Sequence, residues 1–254
     1  MENDKKVKTV VITGGNRGIG EGIARDFHSQ GYYVVLGART DTNLESTLGE
    51  RICFQKMDVR KEAGHEKLAE KALELTGQID VYINCAGFSK WSPIENVDEN
   101  FWNDMIDTNL KGVFFGCKVA AKLLKDKGCI LNVSSLAGKR GSADNSVYCA
   151  SKFGVNGITQ SLAKELGPRG IRVNAVCPVY VRTLGLMEAL NEQYSPAKGK
   201  NVDLYLQKFV NENTALQRLP TVQEIARICF FLASDKASAI TGQCINVDCG
   251  VMPQ

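Results

Sequence analysis

Histidine is scarce in this 254-residue chain: there are two, His28 and His65. Tryptophan also numbers two and proline six. Nine cysteines are present, at 53, 85, 117, 129, 149, 177, 229, 244 and 249, yet no two stand as C-x2-C. Structural zinc wants closely spaced thiolate and imidazole pairs, so no metal site is expected. Most of the cysteines lie in apolar stretches, where a reduced thiol packs like a small hydrophobe. A reducing, cytoplasmic setting follows as the expectation. No apolar run approaches the roughly 18 residues of a membrane span. Neither sign of charge dominates: 31 Lys and Arg face 28 Asp and Glu, a net charge of +3. That balance argues against nucleic acid or an anionic membrane as the main partner. The start, Met1 to Lys6, carries acids and reads as neither a signal peptide nor an amphipathic transit peptide. Repeats, low-complexity tracts and Pro/Ser-rich linkers are missing too. With 44% hydrophobic and 23% charged residues, collagen-like, disulfide-scaffold and disordered classes are excluded.

What is present is alternation. Strand-like runs at Val7–Thr13, Tyr32–Ala38, Ile52–Met57, Ile79–Asn84, Cys129–Ser134, Ile171–Cys177 and Gln243–Val247 are separated by helical stretches. The helices are expected at Gly18–Gln30, Glu62–Leu75, Asn100–Lys125 with a break near Asn109, Val147–Leu166 and Val222–Ala233. Unbroken apolar strands alternating with helices predict a parallel, doubly wound α/β sheet covered on both faces, here seven-stranded and in one domain. One long irregular piece, Pro178 to about Pro220, interrupts the pattern. A connection of that length in a compact domain is usually functional. Its apolar spacing, Leu184, Leu186, Met187, Leu190, Tyr194 and then Val202–Val210, suggests two short amphipathic helices closing over a cleft as a lid, about 184–219.

The first strand runs into Thr13-Gly14-Gly15-Asn16-Arg17-Gly18-Ile19-Gly20 and then a helix. Glycines at 14, 18 and 20 allow a tight turn, bring backbone close to a pyrophosphate, and aim the N–H groups of a helix N-terminus at it. No GK[ST] follows, which excludes a P-loop. Gly14, Asn16, Arg17, Gly18, Ile19 and Gly20 are therefore candidates for binding a dinucleotide. The second strand ends in Arg39-Thr40, with no acid until Asp41. An acid there would hold a ribose diol and repel a 2′-phosphate. Arg39 and Thr40, with Arg17, instead suit a phosphate, so NADP(H) is expected, with NAD(H) as the other possibility.

Tyr148 and Lys152 stand one helical turn apart and share a face. A phenol of pKa about 10 is a poor proton shuttle at neutral pH. A neighbouring ammonium favours the phenolate and is expected to lower that value. Thirteen residues before Tyr148, at the end of the fifth strand, stands Ser135. Doubly wound folds bind ligands at strand C-termini, so its hydroxyl is placed to hold a substrate oxygen against the phenol.

These residues resemble the short-chain dehydrogenase/reductase family, in its branch of about 250 residues. The resemblance spans nearly the whole chain: Thr13-Gly14…Gly18-Ile19-Gly20, Asp58-Val59, Asn84-Cys85-Ala86-Gly87, Asn109, Ser135, Tyr148/Lys152, Asn174, Pro178…Thr183 and Ile240-Thr241-Gly242-Gln243…Val247-Asp248. It implies a Rossmann-type fold and an enzyme that moves a hydride between a nicotinamide and a carbonyl or alcohol carbon. By resemblance Tyr148 is the general acid/base, Lys152 its partner and the anchor of the nicotinamide ribose, and Ser135 the group that polarises the carbonyl. Asn109 would hold a water in a relay to Lys152. Asp58 and Val59 would line the adenine, Asn84, Ala86 and Gly87 the ribose side, and Pro178, Val181 and Thr183 the carboxamide region. Tyr180, Leu184 and Met187 would meet substrate, beside Ser135 and Tyr148. Departures from the family pattern are Cys85 for the second Asn of Asn-Asn-Ala-Gly, Val179 for the glycine after Pro178, and Cys249 for the first of a late Gly-Gly. Val179 resists positive φ, so the turn beside the nicotinamide is expected to differ.

The lid, the Gly138–Ser142 stretch and Ser234–Ser238 look like sugar-alcohol and diol dehydrogenases of the family, and Lys139, Arg140 and Arg182 suit a substrate anion. The expected substrate is a ketone or its alcohol, on a sugar, polyol or small hydroxyketone. A 3-oxoacyl-(acyl-carrier-protein) reductase shares every core motif and is the alternative. A non-catalytic dinucleotide sensor is the alternative of another class, disfavoured because Ser135, Tyr148 and Lys152 are all kept. The family also implies a homo-oligomer, tetramer or dimer, joined through the two long helices.

Overall fold

The computed structural model describes residues 7–253. The reading of Met1 to Lys6 therefore lies outside the described residues. Among these residues seven strands form one sheet in the order β3-β2-β1-β4-β5-β6-β7, and every neighbouring pair is parallel. The strands are β1 Thr9–Thr13, β2 Tyr33–Ala38, β3 Ile52–Lys56, β4 Val81–Asn84, β5 Cys129–Val133, β6 Arg172–Pro178 and β7 Cys244–Val247. The helices are α1 Gly18–Ser29, α2 Leu44–Leu48, α3 Glu62–Thr76, α4 Glu99–Ile106, α5 Gly112–Leu123, α6 Ser146–Leu166, α7 Leu184–Leu190, α8 Val202–Asn213 and α9 Val222–Ala233. The strand order reverses between β1 and β4, and such a switch point opens a crevice at the strand C-termini.

Residue alternation along each strand builds two cores. Val10, Ile12, Val34, Leu36 and Leu131 point to the face covered by α1 and α9, with Ile23, Phe27, Ile225 and Leu232. Val11, Val35, Tyr82 and Ile130 point to the other face, against α3, α5 and α6, with Leu68, Val113 and Val155. Strands buried on both sides read as continuous apolar runs, which is why they stand out in the sequence. Pairing trims their ends by one or two residues: Val7 and Lys8 precede the first β1–β2 partner, Thr9 opposite Tyr33.

The break expected near Asn109 is a π-turn, Asp107–Lys111, inserted between α4 and α5. π-Turns are rare and concentrate at functional sites. The segment 184–219 holds two helices as expected, α7 and α8, capped by Thr183 and Asn201. They form a third, smaller core with Trp91: Leu190, Ala197, Val202 and Leu206 are buried there, and Tyr180, Met187 and Tyr205 pack on it. The short helix α2 was not expected. Its five residues hold too little periodicity to be seen.

Four buried polar side chains tie the sheet to α6. Asn84 donates to Asn132 Oδ1 at 2.9 Å, Asn132 donates to Thr159 Oγ1 at 2.9 Å, and Thr159 donates to the Val155 carbonyl at 2.9 Å. Cys117 of α5 lies against both asparagines. Buried polar groups are tolerated when partnered; Asn84 Oδ1 is the one atom here without a partner, and α5 makes room for the chain by presenting Gly116. A Cβ at Gly116 would sit 1.9 Å from Asn84 Oδ1. Gly116→Ala is therefore expected to lower stability by about 1–3 kcal/mol, the cost of overpacking a filled interior. Urea unfolding with an unchanged m-value would check this.

Candidate active site

The glycine loop builds the floor of the crevice. Gly14 has φ +67° and its N–H donates to the Gly37 carbonyl at 2.7 Å, which folds the chain tightly over the end of β1. A Cβ on Gly14 would meet Ala86 Cα at 2.7 Å, and one on Gly20 would meet the Gly14 carbonyl oxygen at 2.1 Å. Helix α1 begins at Gly18 with Arg17 at its cap, and no side chain satisfies its first N–H groups. Those donors point out of a strand–helix turn at the switch point, the arrangement that receives a pyrophosphate. Thr13 Oγ1 accepts from the N–H groups of Cys85 at 3.1 Å and Ala86 at 3.3 Å, fastening the loop after β4 beside the glycines. Thr183 stands over Gly18, with its Cγ2 3.5 Å from where a Cβ would be. The residues present thus fit a dinucleotide.

The loops after β1, β2 and β3 bring Asn16, Arg17, Arg39, Thr40 and Asp58 to the C-terminal end of the sheet, while the Val59 side chain is buried in the core against α3 and α5. Asn16 donates to the Thr40 carbonyl at 2.8 Å, and Thr42 donates to the Asn16 carbonyl at 2.8 Å, so the two loops are joined. Arg17 reaches Glu188 of α7 at 3.9 Å, both side chains being well exposed. Arg39 is exposed at the same edge, close enough to Asp58 to help hold its carboxyl below the usual range after the larger effect of Arg60. The Asp58 carboxylate is taken by the Arg60 guanidinium at 2.7 Å. Val181 is buried in the α1/α9 core rather than on the crevice wall. Asn84 also departs from expectation: its side chain turns inward to Asn132 and Cys117. Gly116, lacking a Cβ, makes the space it occupies. Only its neighbours Ala86 and Gly87 face the glycine loop or the lysine.

The centre lies where β4, β5 and α6 meet. Lys152 is almost fully buried, and its Nζ donates to the Val133 carbonyl at 2.9 Å. It lies 5.7 Å from the centre of the Tyr148 ring. The turn carrying Ser135 is stitched to the same helix. Ser134 donates to the Lys152 carbonyl at 3.3 Å, and Asn156 donates to the Gly138 carbonyl at 2.8 Å. Gly138 permits this because a Cβ there would stand 2.6 Å from the Lys152 carbonyl oxygen. Ser135 stands close enough to Tyr148 to pull its pKa down against burial, and its Oγ accepts from the Ala137 N–H at 3.1 Å. The three expected residues are thus brought together, and Ser134, Gly138 and Asn156, which sequence reasoning did not single out, hold them there.

Asn109 has a structural part beside the one expected of it. Its Oδ1 accepts from the Phe88 N–H at 3.0 Å, and its Nδ2 donates to the Phe88 carbonyl at 2.8 Å. The amide thus clamps the loop after β4, and Oδ1 keeps a second lone pair. Gly87 fits beneath because a Cβ on it would stand 3.0 Å from Asn109 Oδ1 and 3.7 Å from Lys152 Nζ.

Electrostatics also correct an expectation. Burial pushes the Tyr148 phenol up to about 12, and Ser135 is what pulls against it. Burial pushes Lys152 down to about 8. In the protein alone burial sets the phenol's value, and Lys152 is not among the groups that shift it. The phenol therefore keeps its proton at neutral pH and is ready to give it up, as a proton donor to an oxygen held by Ser135.

Tyr180 lies under α8, its hydroxyl 3.2 Å from that of Tyr205 and its ring 4.9 Å from the Phe209 ring centre. Met187 packs beside it on the small core, while Leu184 is 69% exposed. Arg182 is ion-paired with Asp203. Val179 takes no positive φ, so the turn after β6 passes Pro178 without the conformation a glycine would permit. Among the described residues no cluster of three or more His, Cys, Asp or Glu side chains could hold a metal ion, and no helix is long and apolar enough to cross a membrane.

Comparison with known proteins agrees with this geometry. Residues 14–252 match the family model described as enoyl-(acyl carrier protein) reductase. A candidate ketoacyl reductase of the monensin polyketide synthase from Streptomyces virginiae is 37% identical over 96% of both chains. The 3-oxoacyl-(acyl-carrier-protein) reductase FabG of Chlamydia muridarum is 34% identical over 96% of this chain and 97% of its own. The solved structure of an actinorhodin polyketide ketoreductase variant with NADPH superposes with a TM-score of 0.88 at 31% identity, covering 96% of this chain and 97% of that one. The chain belongs to the short-chain dehydrogenase/reductase family. It is an NAD(P)-dependent oxidoreductase acting on keto or CH–OH groups.

The proton donor is tested by Tyr148→Phe, which is expected to lower kcat by at least about 100-fold, the scale of general acid catalysis, while the cofactor still binds. Reductive kcat/KM in the wild type is expected to fall as pH rises through about 8, where Lys152 loses its charge. Tyr148, at about 12, stays protonated across that range.

Proposed function

We propose that this protein uses NADPH to reduce the ketone of a largely apolar, acyl-type substrate, of the 3-oxoacyl thioester class. The observation that carries the reading is the Ser135–Tyr148–Lys152 cluster at the strand C-termini, with its phenol protonated. When bound, the nicotinamide supplies the hydride. The protein's residues do the rest. Ser135 holds the substrate oxygen, Tyr148 gives it a proton, and Lys152 keeps positive charge beneath the phenol as that proton leaves. Loss of Ser135 or Tyr148 should leave cofactor binding and remove turnover, which separates this enzyme from a dinucleotide sensor.

The apolar substrate is supported by the side chains next to the cluster. Tyr180, near enough to Tyr148 to act on it electrostatically, packs with Tyr205, Phe209 and the small core that carries Met187, and Leu184 and Leu204 are left 69% and 70% exposed on α7 and α8. A sugar or polyol would need hydrogen-bonding groups there, and Arg182 is already paired with Asp203. Residues 184–219 act as a lid hinged between Pro178 and Leu219. The names of the Streptomyces and Chlamydia relatives point to the same substrate class. NADPH oxidation with an acetoacetyl thioester, set against a panel of ketoses and diketones, tests the choice. The thioester is expected to be the better substrate, and a ketose turned over faster would overturn it.

The preference for NADPH over NADH is supported by Arg39 and Arg17 at the crevice edge, where the second strand carries no acid. Arg39→Asp is expected to weaken NADPH binding about ten-fold and to spare NADH, the scale of one charge-assisted hydrogen bond. Equal losses for the two cofactors in a fluorescence titration would refute the role of Arg39. A homodimer or tetramer is supported by the aromatic side chains left exposed on adjoining helices, Trp102 on α4, Phe114 on α5 and Phe153 on α6. A cytoplasmic setting is supported by nine cysteines that are all free.

A further inference from the structure

His65 belongs to none of the roles above, yet it is wholly buried. It sits in the first turn of α3, against β4 and α5. Its Nε2 is 2.9 Å from the Val59 carbonyl oxygen, and its Nδ1 is 3.0 Å from the Tyr82 hydroxyl. Tyr82 is itself fully buried, on β4. Gly116 of α5 leaves room for the ring, since a Cβ there would stand 3.2 Å from His65 Cε1. The chain around Val59 is tight on every side. Gly64 allows α3 to press on the Asp58 carbonyl, where a Cβ would stand 2.9 Å away, and Gly112 of α5 does the same for the Val59 side chain at 3.1 Å.

The hydrogen bonds fix the tautomer. A carbonyl only accepts, so Nε2 carries the hydrogen. Nδ1 then accepts from Tyr82 when the ring is neutral. Burying two polar rings costs desolvation that an apolar pair would avoid. What the pair gains is a hold on the backbone of residues 58–59.

We propose that His65, oriented by Tyr82, is a positioning residue for the adenine end of the cofactor: it fixes the Val59 carbonyl, and with it the Asp58–Val59 wall. The proposal rests on the reading of Asp58 and Val59 as that wall. Nε2 carries its hydrogen in either charge state, and the Tyr82 hydroxyl can turn to accept from Nδ1, so the hold on Val59 does not depend on the charge of the ring. Burial pushes His65 below the ordinary histidine value. The other groups around it do not change charge between pH 5 and 7. Glu62 of α3 is held ionised by Lys118 of α5, with Lys122 also near, and Asp58 is held ionised by Arg60. Burial keeps Cys117 of α5 a thiol and Tyr82 a phenol.

The test is NADPH and NADH affinity by fluorescence, with kcat at saturating cofactor and the melting temperature measured beside it. His65→Leu leaves the Val59 carbonyl without its partner and is expected to weaken NADPH about ten-fold at pH 7.5 with kcat within two-fold. His65→Gln keeps an N–H able to reach Val59, so it should recover most of the affinity. The 2′-phosphate of NADPH titrates near pH 6, so the variants are compared at pH 7.5 and the series is repeated with NADH. Tyr82→Phe removes the hydroxyl that orients the ring and should weaken NADPH in the same direction as His65→Leu, by less. Affinity of His65→Leu within two-fold of wild type, or no recovery in His65→Gln, overturns the proposal. If His65→Leu does not fold, the other two variants decide. A wild type that binds neither cofactor overturns the dinucleotide site itself, a separate result.

Discussion

One buried ammonium organises the centre of this protein. Lys152 lies on α6 but donates its hydrogen bond to the carbonyl of Val133, the last residue of β5. An isolated buried charge is costly. The fold accepts it by placing a backbone acceptor on one side and a tyrosine ring on the other. Because Lys152 bridges strand and helix, it fixes the distance between Ser135, which follows β5, and Tyr148, which opens α6. The stitches at Ser134, Gly138 and Asn156 serve the same end. Catalytic geometry here is a consequence of how one helix is fastened to one strand.

The proton inventory follows from the same burial. Desolvation moves the lysine down and the phenol up, so at neutral pH both hold their protons. A site in that state favours giving a proton to a carbonyl oxygen over taking one from an alcohol, which suits reduction. The positive charge that stabilises the phenolate after transfer is already in place, and the Val133 carbonyl that orients it is rigid backbone in the middle of a parallel sheet.

Much of this was legible in the sequence, for physical reasons particular to each part. Inner strands buried on both faces give unbroken apolar runs, and the edge strands β3 and β7, though only partly buried, still carry enough apolar residues to show. The glycine loop showed because close backbone approach tolerates no side chain at 14 and 20. Tyr148 and Lys152 showed because one helical turn separates residues that share a face. What stayed hidden depends on side-chain direction. Asn84 sits at the right strand end but turns inward, into space left by a glycine on another helix. Asn109 stands in the π-turn and also clamps the Phe88 backbone with its amide. Val181 lies in the right segment and faces the core. Spacing along a chain cannot report which way such side chains point, nor that burial would set the value of the Tyr148 phenol. The substrate depends on how α7 and α8 pack on Trp91, a contact between segments about a hundred residues apart.

The most direct measurement of the central claim is the titration of Lys152 itself, followed by NMR on protein labelled at the lysine side chains, with Lys152→Arg used to assign the resonance. The buried ammonium described here should titrate near pH 8, well below the roughly 10.4 of a lysine in water. A resonance for Lys152 that titrates with the surface lysines would mean that the side chain is hydrated and not held on Val133, and the arrangement of Ser135, Tyr148 and Lys152 set out above would be wrong.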